Sequence, residues 1–379
     1  MKTNLLVLLC AGLALMMTSC GKDDYTDLRT ETDLPSSLTR RIDSAILKTL
    51  EATNSPGVIA GVWIEGQGSY VTSAGVANIA TNEPMDKNMH FRIGSVTKTF
   101  TGICVLTLAD DSLINLDTPI SAYLPEKNIP RGDEITVRML GNMTSGLFNY
   151  SYDSIFGAEY TADLSKTWDP DTLLFFAFRH PNLFDPGTQF YYANTNTVIL
   201  GLLIEKITGK PVWEVFQERI FDPLKLNNTS WPQGLFLPVP YTHGYTRQTP
   251  DGSMGDATYY NPSWCFTAGQ LISNIYDLHT HIRSVVNGNL LSPAMHQEQE
   301  QWFGLPGNEG YGFGLGNVKG WLGHTGEVPG FNTAMYCLES EKVTIVVHVN
   351  SDIPGNDGQN PAAKFWKAIA GVVTPDHLP

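Results

Sequence analysis

Two pairs of strand-like segments stand at opposite ends of this chain, and they constrain its fold more than any other feature. The first pair covers 57–64 and 69–76 around the turn 65–68, and the second covers 333–338 and 343–350. Each pair shows the short apolar runs and the intervening turn that are typical of a β-hairpin. Because the long stretch between the pairs is mostly helical in pattern, we expect one sheet assembled from both ends of the chain around a large insertion.

Helical patterns frame and fill this arrangement. Ser36 or Ser37 is expected to cap a helix with apolar residues at four-residue steps, and a closing helix is expected over 361–370. Further helices are predicted from Ser95, over 136–143, over 194–208 before Gly209, and over 212–221. The segments 144–192 and 229–266 are rich in Pro, Gly and aromatic residues, and we expect long surface loops there.

The start of the chain has the pattern of an export signal. Lys2 is the only charge in 1–19, a long apolar run follows it, and the segment ends at Cys20. The ending resembles a bacterial lipobox, so we expect lipidation of Cys20 and a polar tether over 20–35. The protein would be exported and held at a membrane only through this lipid, in the periplasm or on the surface of a Gram-negative bacterium. An uncleaved anchor is the alternative, although the run is shorter than the roughly 20 apolar residues that span a bilayer.

The charge balance and the cysteines narrow the class of protein further. The formal net charge of −14 argues against nucleic acid as a partner, because such binding depends on Lys and Arg side chains that neutralise phosphates. Three cysteines follow Cys20, namely Cys104, Cys265 and Cys337. An odd number does not favour a disulfide framework, so we expect buried free thiols.

A serine and a lysine three residues apart open the helix predicted at Ser95. The backbone N–H of Ser95 would lie at the positive end of the helix dipole, and Lys98 would lie on the same helical face. An amine held there takes the hydroxyl proton if its pKa is lowered, or stabilises the alkoxide if it stays charged. A second Ser-x-x-Lys occurs at Ser19 and Lys22, so the spacing alone is weak, and a simple helix cap at Ser95 is the alternative.

Two further motifs supply groups that suit the same chemistry. Tyr192 and Asn194 form a Tyr-x-Asn motif at the head of a predicted helix, and His324-Thr325-Gly326 precedes the second hairpin. A phenol near the serine and the lysine relays protons, and a Thr-Gly strand edge offers backbone donors to an oxyanion. Taken singly, Tyr192 as a packing residue, Asn194 as a cap and His324 as a polar strand residue are the alternatives.

Together these motifs resemble those of serine β-lactamases and penicillin-binding proteins, in which Ser-x-x-Lys and Lys-Thr-Gly are typical. The Tyr-x-Asn and His-Thr-Gly forms are more similar to Streptomyces-type D-alanyl-D-alanine carboxypeptidases and class C β-lactamases. The residues of 91–98, of 144–147 and of Pro186-Gly187 fit as well, and the resemblance extends over 36–351.

The resemblance implies an α/β fold of the α+β type, with an antiparallel sheet flanked by helices and a mainly helical domain beside it. The sheet domain would comprise 36–92 and 267–379. The mainly helical domain, with its long loops, would comprise 93–266.

The family's site residues map onto this chain one by one. Ser95 would be the acylated nucleophile, and Lys98 and Tyr192 the proton-transfer pair, of which either could be the base. His324 would lie beside them as a further catalytic residue, and the backbone N–H groups of Ser95 and Glu327 would form the oxyanion hole. The substrate would be bound by residues that line or border the cleft, namely Asn194, Thr325, Gly326, Trp264, Phe148 and, at the rim, Asn149. The resemblance implies no metal and no organic cofactor.

The chain departs from the carboxypeptidase pattern where the free carboxylate of the substrate is held. Gly316 stands in the place of an Arg, and Glu327 stands in the place of a hydroxyl residue after the third motif. Two carboxylates a few ångströms apart repel each other, so we expect substrates that are neutral or cationic at this end. Lys319 is the one nearby cation that could compensate.

The resemblance implies a serine hydrolase with an acyl-enzyme at Ser95, most similar to a D-alanyl-D-alanine carboxypeptidase acting on cell-wall-type peptides or amides. An esterase, a β-lactamase and a non-catalytic penicillin-binding sensor are the alternatives. The partner is therefore a small peptide, amide, ester or β-lactam, and the oligomeric state is left open. A Ser-His-Asp hydrolase is disfavoured because the chain has no Gly-x-Ser-x-Gly. A metal site at His279 and His281 is disfavoured because residues i and i+2 of a helix point apart.

Overall fold

A nine-stranded antiparallel sheet joins the two ends of the chain, which confirms the prediction from the hairpin patterns. The computed structural model describes residues 33–307, 309–355 and 358–379. The strands found there are β1 (Gly57–Ile64), β2 (Gly68–Asn78), β3 (Glu83–Pro84), β4 (Phe91–Arg92), β5 (Tyr245–Thr246), β6 (Gly255–Asp256), β7 (Ile272–Ser273), β8 (Phe303–Leu305), β9 (Glu309–Tyr311), β10 (Gly316–Val318), β11 (Trp321–Val328), β12 (Phe331–Leu338) and β13 (Val343–Val349). The main sheet has the order β3-β2-β1-β13-β12-β11-β10-β9-β8.

Helices cover the sheet and fill the chain between its two halves. In chain order they are α1 (Ser36–Thr53), α2 (Thr97–Asp110), α3 (Ile120–Tyr123), α4 (Val137–Gly141), α5 (Ser154–Ala162), α6 (Pro170–Phe178), α7 (Asn194–Thr208), α8 (Val212–Phe216), α9 (Asp222–Leu224), α10 (Ile275–Asn287), α11 (Pro293–Gln299) and α12 (Pro361–Val373). Short 3-10 segments include Gly94–Val96, Tyr150–Tyr152 and Pro262–Ala268.

The central strands β1, β12 and β13 are buried along their whole length because the sheet has helices on both faces. Side chains alternate between the faces of a strand. Along β1, Val58 and Ala60 pack into a core with α1 and α12, whereas Ile59 belongs to the core shared with α10 and the helical part of the chain. The sheet therefore separates two cores, and the larger of them lies beneath the site described below.

The helix patterns are confirmed at most of the predicted positions. The predictions over 136–143 and 361–370 correspond to α4 and α12, and α7 ends at Gly209 with a left-handed φ of 67°. The helix predicted over 212–221 continues from α8 as a π-helical turn.

Two details of the predicted helices are wrong. The N-cap of α1 is Pro35, and no side chain accepts a hydrogen bond from the first turn, so neither Ser36 nor Ser37 is the cap. The segment 144–192 is not one long loop, because α5 and α6 interrupt it behind the caps Asp153 and Asp169. The aromatic residues that favoured a loop in the sequence are largely core residues of these short helices.

The predicted export signal, Cys20 and the tether as far as residue 32 lie outside the described residues. Asp33 forms a β-bridge with Ser69, and the buried Leu34 donates its N–H to the same residue. In the parts of the chain that the structure describes, no helix is both long and apolar enough to cross a membrane. The described residues form one compact unit, and the boundaries at 92/93 and 266/267 stay a prediction.

Candidate active site

Ser95 lies in a tight turn between the sheet and a long buried helix. The turn is the 3-10 segment Gly94–Val96, which leads directly into α2. Gly94 has a φ of 52°, in the left-handed region that favours glycine, and a Cβ there would lie 2.4 Å from the backbone nitrogen of Glu327. The turn can therefore form only because position 94 has no side chain.

The same turn packs against β11 through a second glycine. A Cβ at Gly326 would lie 3.1 Å from the backbone nitrogen of Ser95. The turn and the strand are thus neighbouring backbone segments, and they carry the N–H groups of Ser95 and Glu327. Two such donors on adjacent segments can hold an oxyanion that forms at Ser95.

Lys98 is fully enclosed beside Ser95 and makes three polar contacts. Its Nζ lies 3.0 Å from Ser95 Oγ, 2.8 Å from Asn194 Oδ1 and 2.7 Å from the carbonyl oxygen of Ala268. The residue is 1% exposed, and burial lowers the pKa of Lys98 to about 7. Both protonation states of the amine are therefore populated near neutral pH.

The three contacts of Lys98 can be made by the ammonium, which has three N–H donors, and also by the neutral amine. The oxygens of Asn194 and Ala268 only accept hydrogen bonds, and a neutral amine has two N–H bonds to give them. Its lone pair then faces Ser95 Oγ, whose hydroxyl proton it can take. The arrangement gives Ser95 a base within hydrogen-bond reach.

Tyr192 adds a phenol to this group. The Lys98 Nζ lies 4.8 Å from the centroid of its ring. Its Oη is buried beside the Ser95 hydroxyl, and among the described residues it makes no hydrogen bond of good geometry. Burial raises the pKa of Tyr192, and the nearby Ser95 hydroxyl opposes part of that rise. The phenol is therefore protonated at neutral pH and free to donate to a substrate.

His324 lies beside Lys98 and Tyr192. The His324 and Tyr192 rings have centroids 6.0 Å apart, and His324 Nε2 lies 3.0 Å from Tyr311 Oη. On its other side, His324 Nδ1 forms a short hydrogen bond to the carbonyl oxygen of Thr325. Burial and the charge of Lys98 lower the pKa of His324 to about 3, so the ring is neutral.

The predicted rim and substrate-binding residues are held in place by several neighbouring elements. Asn194 N–H donates to Asn149 Oδ1 at 3.3 Å. Phe148 is half-buried and stacks on His180 with ring centroids 3.8 Å apart. The ring of Trp264 packs among the aromatic side chains of α5, and Thr325 is partly exposed on β11.

Glu327 is an exposed residue at the open end of β11, and its carboxylate is partly enclosed by neighbouring side chains. Its Oε2 accepts hydrogen bonds from Asn332 Nδ2 at 3.1 Å and Asn360 Nδ2 at 3.3 Å. Loss of hydration and the nearby Asp352 carboxylate raise the pKa of Glu327. This end of β11 therefore carries a carboxyl group that is held against the start of α12.

Neither Gly316 nor Lys319 puts a cation next to Glu327. Gly316 lies in β10 and has no side chain, and Lys319 lies in the turn between β10 and β11. Glu327 lies six residues beyond Trp321 at the start of β11, which is roughly 20 Å along an extended strand. Lys319 is thus too far away to compensate for the missing Arg.

Sequence reasoning missed two groups that contact the predicted residues. One is the carbonyl oxygen of Ala268, which belongs to a 3-10 segment that turns at Phe266 with a φ of 42°. A backbone carbonyl has no sequence signature. The other is Tyr311, which precedes the glycine-rich residues before the third motif. That glycine-rich pattern indicates close packing, but it does not indicate that the Tyr311 hydroxyl contacts His324.

The remaining histidines and cysteines have structural surroundings. His279 stacks on Trp63 at 4.1 Å between ring centroids, and His281 stacks on Phe100 at 3.5 Å. The two imidazoles therefore point apart, as the helix spacing predicts. The three thiols in the described part of the chain are buried and unpaired, which confirms that prediction: Cys104, Cys265 and Cys337.

The site combines a serine hydroxyl, an enclosed amine and a phenol beside strand β11 of an antiparallel sheet. This combination defines a serine hydrolase of the β-lactamase and penicillin-binding protein class. The model of the Beta-lactamase family matches residues 42–365. The chain belongs to this family.

Several relatives show how far the similarity extends. A β-lactamase of Escherichia coli is 30% identical over 200 residues, which cover 52% of this chain and 48% of that protein. A D-aminopeptidase of Cereibacter sphaeroides is 26% identical over 325 residues, which cover 82% of this chain and 60% of that protein. The chain thus spans about half to three fifths of the length of these curated relatives.

Solved structures of similar proteins match nearly the whole chain. A D-stereospecific amidohydrolase from Streptomyces sp. has a TM-score of 0.78 and 28% identity, covering 89% of this chain and 98% of that chain. A D-amino acid amidase from Ochrobactrum anthropi SV3 has a TM-score of 0.79 and 23% identity, covering 90% of this chain and 100% of that chain. The second likeness concerns the fold alone.

Proposed function

We propose that this protein is an amidohydrolase that cleaves amide or peptide bonds of D-amino-acid residues through an acyl-enzyme at Ser95. The contact of 3.0 Å between Lys98 Nζ and Ser95 Oγ carries this proposal, because it pairs a nucleophile with an amine whose pKa lies near 7. The similarity to a D-stereospecific amidohydrolase and to D-aminopeptidases supports the choice of substrate.

In the first step, neutral Lys98 accepts the hydroxyl proton while Ser95 Oγ attacks the carbonyl carbon of the substrate. The carbonyl oxygen becomes an oxyanion, which the N–H groups of Ser95 and Glu327 stabilise. When the tetrahedral intermediate collapses, the C–N bond breaks and the leaving amine needs a proton. Tyr192 donates that proton and recovers one from Lys98, which completes the acyl-enzyme.

In the second step, water attacks the ester carbonyl of the acyl-enzyme. Tyr192 takes the proton of that water as it passes its own proton to Lys98, which is neutral again, and the same backbone donors hold the second oxyanion. Collapse of this intermediate breaks the ester bond and returns the proton to Ser95 Oγ. The acid product leaves, and every group of the site is in its starting state.

The open end of the site decides which leaving group is preferred. Glu327 adds a carboxylate there, and no Arg replaces the one that carboxypeptidases of this type use. A substrate that ends in a free carboxylate would meet a like charge at short range, whereas an amide or an amine-bearing leaving group would not. A strict carboxypeptidase activity is therefore the less favoured form of the proposal.

A substrate panel with an active-site variant tests the function. The wild type and Ser95→Ala would be assayed with D-amino-acid amides, their L-enantiomers, a p-nitrophenyl ester, nitrocefin and a D-Ala-D-Ala peptide. The proposal expects the highest kcat/KM on the D-amides, and background rates for Ser95→Ala on every substrate. Activity confined to the ester, or to nitrocefin, would show an esterase or a β-lactamase instead.

A covalent label separates turnover from mere binding. A fluorescent penicillin that stays attached at Ser95, together with no turnover of any amide or ester, would indicate the non-catalytic sensor. Lys98→Arg separates the need for a positive charge near Ser95 from the need for a base. The guanidinium keeps the charge but does not become a neutral base. We expect this variant to be as inactive as Ser95→Ala.

A further inference from the structure

We infer that Tyr311 is a positioning residue that fixes the tautomer of His324 and keeps the imidazole from acting as a base in the site. The inference rests on the proposed acyl-enzyme chemistry at Ser95, and it concerns a residue outside the three motifs. In this inference, His324 lines the site beside Lys98 as an uncharged side chain and does not transfer protons.

Hydrogen bonds on both sides of the ring determine its protonation. Nδ1 of His324 faces the carbonyl oxygen of Thr325, which can only accept, so Nδ1 must carry the proton. A neutral imidazole with its proton on Nδ1 has its lone pair on Nε2. Tyr311 Oη lies 3.0 Å from Nε2 and must therefore be the donor. The only basic position of the ring is thus occupied by a phenol.

Tyr311 is held in place for this contact. It ends β9, is 6% exposed and meets the Tyr192 ring edge-on with centroids 6.0 Å apart. The next residue, Gly312, packs so closely that a Cβ there would lie 2.2 Å from the carbonyl oxygen of Gln299. A buried tyrosine hydroxyl needs a partner, and His324 Nε2 is the one that the structure provides.

The groups around His324 explain why a neutral ring is useful. It faces Lys98 from α2, Tyr192 from the chain before α7 and Tyr311 from β9, and its cross-strand neighbour on β12 is Met335. On the side of β10, the nearest pair is Gly316 with Gly323, which carries no charge. A protonated His324 would put a second cation beside Lys98 in a buried site, where like charges repel strongly.

The Tyr311 hydroxyl opposes that protonation. A donor to Nε2 stabilises the neutral ring and so lowers the pKa of the imidazole. Removing the hydroxyl frees the lone pair, which allows the ring to take a proton at a higher pH than in the wild type. A fully charged His324 would then interfere with the proton transfers of Lys98 and Tyr192.

The experiment observes the tautomer directly and the activity separately. The full chain, labelled with ¹⁵N in its histidines, would be studied by long-range ¹H–¹⁵N NMR from pH 5 to 9, with His324→Gln used to assign the signal. In the wild type we expect the Nδ1–H form at every pH. In Tyr311→Phe we expect His324 to begin to take up a proton at the acidic end of this range, so that kcat/KM falls relative to the wild type about twofold more at pH 5.5 than at pH 8.

Two controls distinguish positioning from a general loss of structure. Tyr336→Phe removes a hydroxyl from the neighbouring strand, where the ring stacks on Trp366 at 3.9 Å, and it should leave the His324 signal and the pH profile unchanged. In a His324→Gln background, Tyr311→Phe should no longer alter the shape of the pH profile.

Certain results would overturn the inference. A wild-type spectrum with the proton on Nε2 would do so, as would a Tyr311→Phe variant in which His324 keeps its tautomer and does not titrate. Since the NMR signal does not depend on turnover, a protein without amidase activity would refute the proposed function and still leave the role of Tyr311 testable.

Discussion

The α-carbon of Gly326 lies directly against the carbonyl oxygen of Ile93, so that a Cβ at Gly326 would be 1.9 Å from that oxygen. No side chain fits at that distance, and the contact holds β11 beside the turn that carries Ser95. The site therefore requires the close approach of these two backbone segments. A substitution that adds one methyl group at Gly326 tests this requirement.

Gly326→Ala should reduce both the activity and the stability of the protein. The added methyl must push β11 away from Ser95, which displaces the N–H of Glu327 from the oxyanion, and loss of one such donor costs about 100-fold or more in kcat. The strain should lower the free energy of unfolding by about 1–3 kcal/mol. Steady-state kinetics and urea unfolding would measure the two effects.

Gly304→Ala is the matched control for this substitution. Gly304 lies in β8 of the same sheet, and a Cβ there would have no atom within 4 Å. We expect wild-type kinetics from Gly304→Ala. Equal losses of activity in both variants would show that the effect does not depend on the contact with Ile93.

The activity should depend on the protonation of Lys98. Burial lowers the pKa of Lys98 to about 7, and the proposed base is the neutral amine, which is populated above that pH. We therefore expect kcat/KM on a D-amino-acid amide to rise with pH through about 7 and to fall as the solution is acidified below it. A profile that is flat between pH 5.5 and 8.5 would contradict this assignment of the base.

The sequence predicted the sheet and the reacting side chains because both have local signatures. Short apolar runs and turns mark β1, β2, β12 and β13, and the Ser-x-x-Lys spacing places Ser95 and Lys98 about one helical turn apart. Short helices such as α5 were not predicted. A helix of nine residues shows too little hydrophobic periodicity to be recognised in a segment whose composition is typical of a loop.

The unpredicted part of the site consists of contacts made across the fold. The carbonyl of Ala268 and the hydroxyl of Tyr311 reach Lys98 and His324 only after distant segments have packed together. Neither the position of a backbone carbonyl nor the partner of a buried phenol is encoded in nearby residues. The departure from the carboxypeptidase pattern at Glu327 could be recognised from the sequence, because this residue directly follows the His-Thr-Gly motif.

The enclosed amine should make folding stability depend on pH. In the folded protein the pKa of Lys98 is about 7, whereas its ordinary value is 10.5. Between these values the unfolded chain binds a proton that the folded chain does not, so the free energy of unfolding rises with pH across this window. Below about pH 7 the cost of burying the amine is fully present.

A substitution isolates this contribution. Lys98→Met lacks the titrating group, so its stability relative to the wild type should be greatest below about pH 7 and should decrease by on the order of 2–4 kcal/mol towards pH 10. Urea unfolding of both proteins at several pH values measures the difference. Lys48→Met, on the exposed side of α1, serves as the control, and parallel curves for Lys98→Met and wild type would contradict the low pKa.

Glu327 should set the preference for the leaving group. Replacing its carboxylate with the amide in Glu327→Gln removes the like charge while keeping the size and the partners Asn332 and Asn360. We expect the ratio of kcat/KM for a D-Ala-D-Ala peptide with a free carboxylate to that for its C-terminal amide to rise about tenfold, which corresponds to about 1.4 kcal/mol of relieved repulsion. Glu327→Thr, which restores the hydroxyl of the carboxypeptidases, should raise the ratio further.

Glu309→Gln is the control: it alters an exposed carboxylate of β9 in the same sheet and should leave the ratio as it is. A wild-type enzyme that already prefers the free acid would show that Glu327 does not face the leaving group.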